Sequence, residues 1–553
     1  MAKAWLRHWP EGVPQNLTYP EIPLSEVLTL TAKKYPNNTA IIFFGKKLAY
    51  HELDDLSSRF ASALVSLGVK KGDRVALFLP NVPQFPICYY GALRAGAVVV
   101  PCSPLYKERE LEFQLNDSGA ETVVALDLLY EHLAPIRGKT KLRNIITTTI
   151  LDFFPSFLGV LAKLTGKLKT VPCPGTMSLK ELLAKHGEAP PKVSINPRND
   201  AALFQYTGGT TGVPKGAMLT HHNLVVNALQ VGSWLPTLRE GGEVMLAVLP
   251  YFHIFGMTVA MNMPVLRAAS MVLQPRFEVL EVLKAIQKHG VTLFPGVPTM
   301  YIALINHPET GKFNLRTVRL CISGAAALPV EVMRKFEAIT GGRLVEGYGL
   351  TETSPVTHCN PLDRPEKVRP GSIGIPFSDT EAKIVDIETG EKDLAANEVG
   401  ELAIQGPQVM AGYWNKPEET KYALRDGWLY TGDIAKVDED GYFYIVDRKK
   451  DMINVSGLKV WPREVEEVLY EHSAVKEAGV VGVSDPYRGE TVKAFIVLKD
   501  GFEGKTTVEE IVRFCKEKMA SFKAPSQVEF VKQLPKTAIG KILRRALKER
   551  AAK

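Results

Sequence analysis

With 553 residues the chain is longer than one hydrophobic core usually serves, so at least two domains are expected. Hydrophobic residues make up 45% and charged residues 23%, the balance of an ordinary globular protein, and no run of about 18 apolar residues marks a membrane-spanning helix. A net charge of +7 is mild for this length; it suits polyanionic substrates and gives no reason to expect nucleic acid.

The six cysteines are scattered, without a C-x-x-C pair or Cys/His ligand spacing, which argues against a disulfide framework and a zinc site. The first ten residues lack the apolar core and cleavage site of a secretory signal, so a cytoplasmic protein is expected.

In chain order, amphipathic stretches at 24–35 and 58–67 precede β-branched runs at 74–79, 97–100 and 122–126. Further runs at 201–206, 244–249, 291–294 and 318–322 flank an amphipathic stretch at 279–289. This alternation predicts α/β architecture with mainly parallel sheets. Beyond about residue 375 the runs at 382–386, 400–405 and 442–446 alternate and are separated by turns, predicting a small antiparallel or barrel-like region. Helices are expected at 460–471 and 508–519, with strands at 479–483 and 494–498. The expected organisation is a large α/β domain, 1–447, of two parallel subdomains plus the barrel-like one. A small α+β domain, 448–553, follows it.

Several segments carry residue types suited to chemistry. Tyr206-Thr-Gly-Gly-Thr-Thr-Gly-Val-Pro-Lys215-Gly216 follows an apolar strand. Its glycines let the backbone approach a ligand, its hydroxyls and N–H groups offer donors to phosphate oxygens, and Lys215 adds positive charge. It is not a Walker A loop, because Val213-Pro214 separates Gly212 from Lys215 and Gly216 follows. Pro250-Tyr-Phe-His253-Ile-Phe-Gly256 and Gly324-Ala-Ala-Ala-Leu328 combine aromatic and small residues; by itself the latter is indistinguishable from a small-residue strand-to-helix turn. Tyr348-Gly-Leu-Thr-Glu352-Thr353, after Gly347, could by itself be a turn with a solvated Glu. Alone, Tyr430-Thr-Gly-Asp433 is a common turn, the 447–457 charge run a solvated loop, and Lys541 an exposed terminal lysine.

Together and in this order, these segments resemble the adenylate-forming superfamily of acyl-CoA synthetases, luciferases and peptide-synthetase adenylation domains, over nearly the whole chain. The resemblance implies that Thr207, Gly208, Gly209, Thr210, Thr211, Gly212 and Lys215 bind ATP phosphates. Gly324, Ala325, Ala326, Gly347, Tyr348 and Gly349 would pack around adenine. Thr351 would contact the α-phosphate, Glu352 and Thr207 would hold Mg²⁺, and Asp433 and Arg448 would grip the ribose. It further implies a hinge at Lys450 and two poses of a mobile lid. In one pose Lys541 neutralises charge during adenylation; in the other the loop at Gly457 lines a tunnel for CoA. His253, Met257 and Gly324 would line the acyl pocket, His253 as wall or gate, because an ionised carboxylate needs alignment and no base. One departure from the family pattern is Asn454, where a second lysine often stands.

Phe294-Pro-Gly-Val-Pro-Thr-Met-Tyr301 resembles the corresponding segment of bacterial and archaeal fatty acyl-CoA ligases. Residues 152–170 place Phe153, Phe157, Leu161, Leu164 and Leu168 at helical spacing opposite Ser156, Lys163 and Lys167, with Pro155 in the first turn. Such a helix lies at a membrane interface or docks on its own domain. The expected activity is ligation of a medium- to long-chain fatty acid to CoA. An aromatic-acid ligase, a luciferase-like oxygenase, a carrier-loading adenylation domain and a non-catalytic nucleotide-binding or membrane scaffold remain alternatives, and a homodimer stays open.

Overall fold

The computed structural model describes residues 3–155, 170–187, 189, 191–207, 214–362, 364–456, 458–537 and 542–551. Gly208, Gly209, Thr210, Thr211, Gly212, Gly457, Lys541 and residues 156–169 of the amphipathic stretch lie outside them.

One eight-stranded sheet is parallel through Ala201–Thr207, Val98–Pro101, Arg74–Phe78, Thr122–Leu126, Asn144–Thr148 and Met177–Ser178. Lys215–Thr220 and Gly412–Tyr413 extend it antiparallel at the opposite edge. These strands are valine-, isoleucine- and leucine-rich because helices cover both faces. The Gln84–Arg94 helix is buried along its whole length, which hides any amphipathic stripe.

A second sheet pairs Val244–Ala247, Ser270–Leu273 and Thr39–Phe43 in parallel, with Lys46–Ala49 folded back as a hairpin. The expected strand at 291–294 is reduced to Leu293, which bridges Met245 on one side and Leu320 on the other. Pro295 and Pro298 follow at once, and prolines cannot sustain a ladder. That bridge nevertheless joins the sheet to Leu320–Ser323 and Arg343–Gly349, which run parallel. The helix expected at 58–67 begins earlier, spanning Tyr50–Ser66. Glu52 accepts a hydrogen bond from the Ala49 N–H, 2.7 Å, at its first turn.

The third unit is antiparallel: Glu381–Val385, Gly400–Gln405, Trp428–Val437 and Phe443–Arg448. After it, Ile453–Val455, Leu458–Val460, Val475–Asp485, Gly489–Leu498 and Gln527–Phe530 form a separate sheet. Pro462–Tyr470 and Val508–Lys518 pack on it, burying Val465, Leu469, Ile511 and Cys515 in a core of their own. The large N-terminal and small C-terminal domains are thus distinct in their packing. Of the amphipathic stretch, Ile150–Phe153 is a 3-10 helix and Phe154 is extended, so the expected α-helix does not begin at Asp152. The Asp152 side chain instead accepts hydrogen bonds from Thr148 and from the Thr149 N–H. Among the described residues no helix is long and apolar enough to cross a membrane.

Candidate active site

Three chain segments distant in sequence meet where the antiparallel unit abuts the two parallel sheets. Asp433 and Arg448 face each other as direct partners on the Trp428–Val437 and Phe443–Arg448 strands. Their fifteen-residue separation is therefore the length of one hairpin. Arg448 Nε lies 3.2 Å from Asp433 Oδ1, and the Tyr348 hydroxyl donates to Asp433 Oδ2 at 2.6 Å. The proximity of Asp433 holds the Arg448 guanidinium even more firmly protonated. Burial, reinforced by the Asp433 charge, pushes the Tyr348 phenol well up. A carboxylate with only about 6% of its side chain exposed is thus paired with a cation and accepts from a hydroxyl.

Glu352 sits in the 3-10 turn Thr351–Thr353, which packs on the Ala201–Thr207 and Lys215–Thr220 strands. Tyr413 donates its hydroxyl to Glu352 Oε1 at 2.7 Å, and Lys215 Nζ lies 5.2 Å from the centre of the Tyr413 ring. The Glu352 carbonyl accepts the Met410 N–H at 2.8 Å. Thr207 and Lys215 are paired across the hairpin whose connecting residues, 208–213, are not described. The loop thus joins two antiparallel strands, whereas a Walker A loop opens a helix. Glu352, Thr351, Thr207 and Lys215 therefore gather at one end of the large sheet. Among the described residues no group of three or more His, Cys, Asp or Glu side chains could cage a metal. A single carboxylate beside a hydroxyl fits a magnesium ion that arrives on nucleotide phosphates, since that ion keeps waters and needs few protein ligands.

Close backbone approach explains the glycines. A Cβ at Gly324 would stand 2.9 Å from the Phe255 ring, and one at Gly347 would stand 2.8 Å from Ile322. A Cβ at Gly349 would overlap the Pro355 carbonyl oxygen. Ala325 adopts φ 65°, a left-handed conformation rare outside glycine, while Ala326 follows in the same turn. His253 caps the short helix Ile254–Met257, its Nδ1 accepting the Phe255 N–H at 3.3 Å. Met257 is fully buried, and Thr258 donates to the Ser354 carbonyl, tying this segment to the Glu352 turn. The predicted pocket residues His253, Met257 and Gly324 are thus joined through Phe255 and its helix.

Sequence reasoning missed Tyr413, which joins Glu352 to Lys215. It also missed His358, the ladder partner of Tyr348. The His358 ring lies edge-on to Tyr348 and 4.8 Å from Phe443, and burial depresses it to about 3, so it is neutral. No spacing rule links Tyr413 to Glu352, 61 residues apart. The only signal was an aromatic pair, Tyr413-Trp414, at the end of a short strand.

The AMP-binding enzyme family model matches residues 28–414, and the AMP-binding enzyme C-terminal domain matches residues 464–541. The chain belongs to the AMP-binding enzyme family. It is 48% identical to a long-chain-fatty-acid–CoA ligase of Bacillus subtilis, over 99% of this chain and 98% of that one. A ligase of the same name from Salmonella typhimurium is 39% identical over 100% of this chain and 99% of its own. Among solved structures, ATP-bound MatB from Rhodopseudomonas palustris is 31% identical, covering 96% of this chain and 99% of that chain, with a TM-score of 0.83. Apo MatB, with the same identity and coverage, superposes at 0.73.

For this AMP-binding enzyme, Gly349→Ala should cost about 3 kcal/mol, the upper end of overpacking penalties, because backbone and not a movable side chain stands in the way. Thermal unfolding checks this, and an unchanged midpoint would contradict the packing described.

Proposed function

We propose that the chain is an ATP-dependent, AMP-forming fatty acid–CoA ligase acting on medium to long chains. The observation that carries this reading is the convergence of Asp433, Arg448, Tyr348, Glu352 and Lys215 in a chain with full-length likeness to long-chain-fatty-acid–CoA ligases.

Asp433 accepts hydrogen bonds from the ribose hydroxyls, with Arg448 holding it oriented. Tyr348, half-buried on its own strand, offers its ring to adenine beside Gly324, Ala325 and Ala326. Lys215 and the Thr/Gly loop 207–212 hold the phosphates, and Thr351 hydrogen-bonds the α-phosphate. Glu352, fixed by Tyr413, and Thr207 are the oxygen donors for Mg²⁺, which neutralises phosphate charge when bound. The fatty carboxylate, aligned near His253, attacks the α-phosphorus; an acyl-adenylate forms and pyrophosphate leaves. Lys541 neutralises the charge that develops. The CoA thiol, reaching the site beside Gly457, then displaces AMP to give the thioester. The boundary lies after Asp447, with 1–447 and 448–553 turning about Lys450, whose ammonium burial disfavours.

The long-chain ligases among the relatives favour an aliphatic acid over the aromatic alternative. A pocket for such a chain gains roughly 0.8 kcal/mol for each methylene buried. A surface aromatic cluster supports collection of the acid at a lipid interface. Phe44, 47% exposed at a hairpin tip with φ 47°, has its ring centre 4.6 Å from that of Phe154, and Lys46 lies 5.4 Å from the Phe153 ring. A bulky residue held in that left-handed conformation is costly, and aromatic rings beside lysines suit an anionic membrane surface.

The direct test is CoA-dependent pyrophosphate release across acetate, octanoate, palmitate and coumarate. Turnover peaking at octanoate or palmitate is expected; a peak at coumarate would move the enzyme to aromatic acids, and no turnover would restore the scaffold reading. Phe44→Ser with Lys46→Glu should weaken sedimentation with anionic phospholipid vesicles several-fold while leaving octanoate turnover intact. Undiminished vesicle binding would remove the interfacial contact.

A further inference from the structure

We infer that two ion pairs crossing the domain boundary, Asp447–Arg544 and Glu346–Arg463, form a latch that holds the C-terminal domain in the pose used for adenylation. The inference rests on the two-pose reading above and names the groups that set the balance between the poses.

Asp447 ends the large domain: it lies on the Phe443–Arg448 strand, paired with Ile434 across the ladder. Its side chain is about 2% exposed, yet it faces three donors. Arg448 donates its own N–H at 2.7 Å, Arg463 donates its backbone N–H at 2.7 Å, and Arg544 donates from Nη1 at 2.8 Å. Two of those three come from beyond Lys450. Arg544 opens the Arg544–Ala551 helix, three residues past Lys541. Its other partners, Asp451 at 3.4 Å and Glu466 at 2.8 Å, belong to its own side of the hinge. Rotation about Lys450 would therefore strip Asp447 of two donors while leaving Arg544 paired.

Glu346 repeats the pattern on the nucleotide side. It immediately precedes Gly347-Tyr348-Gly349, and its Oε2 accepts the Leu328 N–H at 3.0 Å, at the end of the Gly324–Leu328 turn. Its Oε1 lies 3.9 Å from Arg463 Nη2, both side chains being largely buried. Burial pushes the Glu346 carboxyl up to about 7, and Arg463 is the cation that opposes the shift. One carboxylate thus contacts both segments assigned to adenine and reads whether the lid is in place.

A buried carboxylate that loses its partner is strongly disfavoured, so each pair resists departure of the lid. The whole chain also superposes better on ATP-bound MatB than on the apo form, 0.83 against 0.73. Glu346, Arg463, Asp447 and Arg544 are positioning residues; they act through the lid and the adenine-side turns.

The experiment labels Tyr422→Cys and Tyr487→Cys, positions 68% and 93% exposed on opposite sides of the hinge, and measures the inter-label distance distribution in full-length protein with ATP and Mg²⁺. Glu346→Gln keeps an oxygen for the Leu328 N–H and removes only charge; Arg463→Gln removes its partner charge. Each should shift the population away from the wild-type distance. Each should also lower acid-dependent ATP–pyrophosphate exchange about tenfold, the double variant losing little more than either single, while thioester formation from supplied acyl-adenylate changes less than about twofold. Arg544→Gln should act in the same direction, and its folding is checked by thermal unfolding. An unchanged distance distribution, additive losses, or equal loss of both half-reactions would overturn the latch. If the wild type catalyses neither half-reaction the ligase reading fails, and the distance distributions still decide whether the pairs hold the lid.

Discussion

The buried Asp433 carboxylate is the constraint on which the arrangement of this site depends. A charge in so dry a place is tolerated only when paired and hydrogen-bonded. The chain supplies Arg448 from the neighbouring strand and Tyr348 from a different sheet. That requirement fixes the register of the antiparallel unit against the strand Arg343–Gly349. The same strand carries Glu346 toward the C-terminal domain and leads directly into the turn that carries Glu352. The groups proposed to face adenine, ribose and phosphates are therefore organised around one shared junction.

What could be read from the sequence were the parts whose chemistry is local. The Thr/Gly loop stands out as a short motif by itself, whereas the Tyr348–Thr353 run, Asp433 and Arg448 gain meaning only from their order, which resembles one superfamily. The structure then brings Tyr348, Asp433 and Arg448 into contact, and separately Lys215 and Glu352 around Tyr413. Parallel strands such as Thr122–Leu126 were legible because both faces are buried and the run is apolar after its opening threonine.

The misses have physical causes. Residues 291–294 look like a strand by composition, but prolines after Phe294 leave only the bridge at Leu293. The helix Tyr50–Ser66 starts among Glu52, Asp54 and Asp55, which disguise its apolar stripe of Leu53, Phe60 and Leu64. Tyr413, His358 and Glu346 act through partners many residues away or on adjacent sheets, and no local pattern marks them. The contacts of Asp447 were not legible, because its partners Arg463 and Arg544 come from 16 and 97 residues downstream.

The central claim is that this site forms an acyl-adenylate before any thiol takes part, with Lys541 delivered for that step alone. The most direct measurement is palmitate-dependent ATP–pyrophosphate exchange without CoA, in the wild type and in Lys541→Ala, beside thioester formation from supplied palmitoyl-adenylate. The account predicts exchange in the wild type, its loss by about a hundredfold or more in the variant, and near-normal thioester formation in both. Exchange that requires CoA, or equal loss of both half-reactions in the variant, would contradict it.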